Sequence, residues 1–92
     1  MAKAKKEYQI ETKRGTYRVR IWLDKRDRAY LVQCLSLPEV ATFGRTLAEA
    51  KRMAKDAIEL YCDCVITENK LVIDDTGRAF GKLPRTRVVA LA

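Results

Sequence analysis

Residues 46–66, TLAEAKRMAKDAIELYCDCVI, constrain this chain most, because they can be little other than one long helix with a marked start. Thr46 and Glu49 stand three apart. The Thr46 hydroxyl can take the backbone N–H of Glu49 while the Glu49 side chain reaches back to Thr46, a capping box that satisfies two donors every helix start leaves unpaired. Gly44 just ahead lets the chain turn sharply. Leu47, Ala50, Ala54, Ala57, Ile58, Tyr61 and Val65 recur at three- and four-residue steps and form an apolar stripe. The alanines in that stripe allow close approach to a sheet. Lys51, Arg52, Lys55, Asp56, Glu59 and Asp63 fall mostly on the other side, with Glu59 and Asp63 expected to face solvent. Met53, Leu60 and Cys64 widen the apolar arc and are expected in the core.

A helix of this kind needs a surface to cover, and the residues before it supply one. YQIET (8–12) and YRVRIWL (17–23) alternate in the manner of strands, with Tyr8 and Ile10 on one face of the first and Tyr17, Val19, Ile21 and Leu23 on one face of the second. KRG (13–15) suits a tight turn between them. After the polar connection DKRDR (24–28), AYLVQCLS (29–36) reads as a further strand with Tyr30, Val32 and Cys34 on one face. Pro38 breaks the pattern, and residues 40–43 form a short extended piece. Residues 67–86 contain the turn signals ENK, DDTG and Pro84 and read as loop with a short strand at LVI (71–73). RVVALA (87–92) reads as a buried strand. The expected class is α+β: a three-stranded antiparallel meander with an extra N-terminal strand, one long helix on one face, and a final strand parallel to an earlier one through a right-handed crossover.

The chain has 92 residues, which suits a single domain over 7–92 after a disordered basic tail at 1–6. A core of this size is modest, so a homo-oligomer, dimer or tetramer, is expected. No segment has the length and apolarity of a membrane span, and MAKAKKEYQ lacks the apolar run of a signal peptide, so the expected compartment is the cytoplasm. The three cysteines, Cys34, Cys62 and Cys64, read as small apolar fillers rather than a disulfide framework. Without histidine, a tetrahedral zinc site lacks its usual ligands, and no metal or cofactor is expected. The net charge is +7, and residues 1–30 carry ten Lys and Arg against four Asp and Glu, whereas 31–92 carry nine against eight. The basic half could draw a polyanion or an acidic partner.

The stretch AYLVQCLSLPEVATFGRTLAEAKRMAKDAIELY (29–61) resembles the HicB family of antitoxins. The family-like positions are an aromatic opening a strand, Tyr30; the pair Leu37 and Pro38 before a short strand; Gly44, Thr46, Glu49 and Ala50; and then Ala54, Ala57, Ile58 and Glu59, without a gap in spacing. With the preceding strand the resemblance spans roughly 17–66. The chain departs from the pattern at Glu39, where a glycine usually follows Leu-Pro, at Leu35 in place of a proline, and at Arg45 in place of an acidic residue. The resemblance implies a partial RNase H-like fold of β-β-β-α-β order. It also implies a protein that neutralises a HicA-type RNA-cleaving toxin by covering its active or RNA-binding surface. Many family members carry a C-terminal DNA-binding domain; with about 26 residues after the helix, none is expected here.

Under that reading the expected partner contacts are Tyr30, Leu37, Pro38 and Glu39. An enzyme is not expected, since nuclease chemistry on such a fold needs several carboxylates converging on metal ions, and the strands offer only Glu11 and Asp24 near their ends. The competing reading is an RNA or single-stranded nucleic-acid binding module, because Arg18, Arg20 and Trp22 alternate on one strand face, a pattern that pairs phosphate contacts with base stacking. Its bland counterpart is that Trp22 packs and the arginines reach to water. A third possibility is an oligomeric HicB-like protein without a cognate toxin.

Overall fold

The computed structural model describes residues 6–81. Four strands form an antiparallel meander in the order β1 (Lys6–Thr12), β2 (Gly15–Asp24), β3 (Ala29–Cys34) and β4 (Ala41–Gly44). Helix α1 (Leu47–Thr67) follows, and β5 (Val72–Ile73) with β6 (Ala79–Phe80) makes a separate small hairpin. The class is α+β, and the extended piece after Pro38 is a fourth strand. The segment 87–92, read as a strand, and residues 1–5 of the basic tail lie outside the described residues.

Alternation places the core. Tyr8 and Ile10 on β1 stand opposite Val19 and Tyr17 on β2, and Ile21 stands opposite Val32 on β3. These face α1, which presents the buried Ala50, Ala54, Ile58 and Cys62. The small residues let the helix lie close: a Cβ at Gly44 would sit 2.5 Å from the Ala50 nitrogen, so only glycine fits there. Tyr17 is wholly buried, and its hydroxyl donates to the Arg14 carbonyl at 2.8 Å and lies 3.5 Å from Cys62 Sγ. Burial, with Cys62 beside it, pushes its phenol above the ordinary tyrosine value.

The helix begins as its chemistry requires, with one change. Glu49 N–H donates to Thr46 Oγ1 at 3.0 Å, but the Glu49 carboxylate accepts from Arg45 N–H at 2.6 Å rather than from Thr46. The helix ends with Asn69 at φ 64°, Asn69 N–H on the Ile66 carbonyl and Lys70 N–H on the Val65 carbonyl, the Schellman arrangement with asparagine in the usual glycine place. Met53, Leu60 and Cys64 are not core residues: Leu60 is 67 % exposed, and Met53 and Cys64 are exposed as well. The buried positions recur every four residues from 50 to 62, a narrow stripe that leaves Met53, Leu60 and Cys64 to one side. Cys34 and Cys62 are the apolar fillers expected, and burial raises both thiols. Glu59 and Asp63 reach across to the β1–β2 turn instead of facing bare solvent. Lys13 N–H donates to Glu59 at 3.0 Å, and Arg14 Nε to Asp63 at 2.8 Å.

Candidate functional site

The face of the sheet turned away from α1 carries the side chains left over from the core pattern. The register arranges them in rows across the strands. One row is Glu7, Arg20, Gln33 and Ala41; the next is Trp22, Leu31 and Phe43; Gln9 and Arg18 lie on the opposite side of the first. Trp22 and Leu31 are half-buried and Phe43 is 60 % exposed. An apolar row thus sits beside a polar one on this open face.

The arginines of this face are already engaged. Glu7 lies between them, 3.6 Å from Arg18 and 3.5 Å from Arg20, and the Asp75 carboxylate is 3.9 Å from Arg18 Nε. Arg18, Arg20 and Trp22 are therefore brought onto one face as the alternation predicts, but two carboxylates share the positive charge offered to a phosphate backbone.

The four residues expected to contact a partner divide in two. Tyr30 and Leu37 are half-buried and pack against the core, while Pro38 and Glu39 are exposed. The 35–40 loop is held in shape: Gln33 Nε2 donates to the Pro38 carbonyl at 2.9 Å, and Val40 N–H to the Leu37 carbonyl at 2.8 Å. Glu39 accepts from the Tyr61 hydroxyl at 3.3 Å. Partial burial and then the Glu39 charge raise the Tyr61 phenol. Here an open groove of about 300 Å³ separates the residues entering β4 from α1, with Ala41 on one wall and Ala57, Leu60 and Cys64 on the other. Gly44, Thr46, Glu49 and Ala50 are structural, forming the tight corner between β4 and the helix.

In the sequence DDTG signals only a turn, yet it holds the one buried charged side chain among the described residues. Asp74 accepts from Thr16 N–H at 2.8 Å, Thr76 N–H at 3.0 Å, Thr76 Oγ1 at 2.7 Å and Arg78 N–H at 2.9 Å. Burial alone would raise this carboxyl, but the donors outweigh it and hold it well below the ordinary aspartate value. The neighbouring Asp75 continues the seam: its N–H donates to the Thr16 carbonyl at 3.1 Å, its carboxylate accepts from Arg18 N–H at 2.8 Å, and it bonds the Ser36 hydroxyl. Where β3 ends, these two aspartates take the place of a neighbouring strand along β2. Gly15, at φ 111°, is required because a Cβ there would lie 2.5 Å from that of Asp74. Asp followed by Thr-Gly is a recognisable Asx-turn signal, but nothing local shows that it docks on β2.

Among the described residues no group of three or more His, Cys, Asp and Glu side chains gathers to hold a metal ion, and no helix is long and apolar enough to cross a membrane. Comparison of the chain with protein-family models, with curated proteins and with solved structures returns no match.

Proposed function

We propose that this chain is a HicB-like antitoxin that neutralises a small RNA-cleaving toxin of the HicA type by covering its active or RNA-binding surface, with no chemistry of its own. The observation that carries the reading is the continuity of β3, the Leu37–Pro38 loop, β4 and α1 as one packed unit, since this is the stretch whose residues resemble that family. The open sheet face supports it further. Its row of Trp22, Leu31 and Phe43 beside polar neighbours suits a protein partner, with apolar side chains at the centre and polar ones at the border. Pro38 and Glu39 stand exposed in the loop between β3 and β4, where the Glu39 carboxylate offers a charge to a basic partner.

The nucleic-acid reading uses the same face and is disfavoured by Glu7 and Asp75, which occupy Arg18 and Arg20. The two separate in one set of measurements with the product of the neighbouring gene, co-expressed and followed by size-exclusion chromatography and an RNA-cleavage assay. The antitoxin reading expects a stable complex and suppressed cleavage, lost on Leu31→Arg and retained by Arg18→Glu with Arg20→Glu. Direct RNA binding that falls steeply with salt and disappears in the double arginine variant, with no toxin complex, would establish the other.

A further inference from the structure

We propose that the chain pairs with a second copy of itself along β4, antiparallel, about a two-fold axis at Thr42. Among the described residues β4 is an outer strand of the sheet. In an antiparallel ladder alternate residues of such a strand turn their N–H and C=O groups away from the neighbour already paired. Exposed edges are commonly blunted with lysine or proline, and Ala41–Gly44, ATFG, contains neither.

The side chains specify the register. A two-fold axis normal to the sheet keeps like faces together, so residues that meet must belong to the same face, and one residue must meet its own copy. Centring on Thr42 sets Thr42 against Thr42 on the helix side, a favourable cross-strand pair. On the open face the same register sets Phe43, 60 % exposed, against Ala41 twice, a large side chain over a small one. Beyond the strand ends it brings Glu39 of each copy opposite Arg45 of the other. Both are exposed, and Arg45 has no ion pair within the chain among the described residues. Centring on Phe43 instead places Ala41 against Arg45 and forfeits the charge pairs.

The helix adds to this. A two-fold axis at β4 puts both α1 helices on the same side of one continuous sheet of four strands from each copy. An apolar flank of α1 lies on its β4 side, where the exposed Leu60 and Cys64 and the half-buried Ala57 line a groove with Ala41. Those flanks turn toward the junction.

The test uses the full chain alone, so it stands apart from the antitoxin reading. Light scattering at micromolar concentration is expected to give twice the chain mass. Arg45→Glu and Glu39→Arg should each weaken the dimer by about ten-fold, and the two together should restore it to within about three-fold, since the charges only change places. Phe43→Asp should give a monomer with an unchanged circular dichroism spectrum. In a Cys64→Ser background, Thr42→Cys should form an oxidised dimer, and Glu11→Cys on the far side of the sheet should not. A monomer at every concentration overturns the proposal. So does a dimer indifferent to Phe43→Asp and to the charge exchange, which would mean that copies meet elsewhere.

Discussion

Thr46 and Asp74 do the same kind of work, each offering oxygen to backbone N–H groups with no other partner, but one is exposed and the other buried. Only the Asp74 carboxylate titrates, so of the two it alone makes stability depend on pH. A carboxyl held below its ordinary value of 3.8 in the folded protein contributes stability that is complete above 3.8 and is lost as pH falls toward the folded value. Asp63 adds in the same direction, because the Arg14 side chain bonds its charged form. At the other extreme, Tyr17 keeps its proton when buried, so the unfolded chain ionises first and stability falls as pH rises past 10.0. Urea midpoints measured against pH should therefore show an acid limb beginning near pH 4, and that limb should flatten in Asp74→Asn. An acid limb unchanged by the substitution would mean that other carboxylates carry it.

At the scale of elements, α1 and the strands before it are legible in the sequence, and the contacts between them are not. Thr46 accepts from Glu49 N–H as its spacing predicts, and Thr46→Ala should cost about 0.5–2 kcal/mol, read from a shift in the denaturant midpoint at constant slope. The destination of the Glu49 carboxylate, Arg45 rather than Thr46, depends on how the chain leaves β4. The exposed arc of Met53, Leu60 and Cys64 is only half legible: the sequence offers it both as a wider core face and, for Met53 and Leu60, as spare apolar surface, because a helical wheel shows which residues share a face and not what lies against them. The β5–β6 hairpin was half legible: LVI read as a strand, but β6 is two residues long and takes its place from Asp74 and Asp75 on β2.

For the whole molecule, the packing predicts how protection from solvent should be graded. Val19, Ile21 and Val32 lie on central strands paired on both sides and covered by α1. The small hairpin is a separate two-stranded sheet with Ile73 61 % exposed. Native-state hydrogen exchange should give the greatest protection at those three amides, open only by global unfolding, and the least in 72–80, through local opening. Equal protection in the hairpin would show that the Asp74 seam makes it part of the same cooperative unit.

The chain's local chemistry determined the α+β class, the alternation of β1, β2 and β3, the start of α1 and which arginines share a face with Trp22, because these depend on periods of two and 3.6 and on caps within a few residues. Tertiary structure alone decided that Glu7 and Asp75 take up Arg18 and Arg20, that Tyr30 and Leu37 serve the core while Pro38 and Glu39 stay outside, and that Asp74 is buried against Gly15. Each of these joins residues distant in sequence or depends on depth, and neither separation nor depth is written in a local pattern. The edge at β4 belongs to both: ATFG is plain in the sequence, but only the strand order shows that nothing lies beyond it among the described residues.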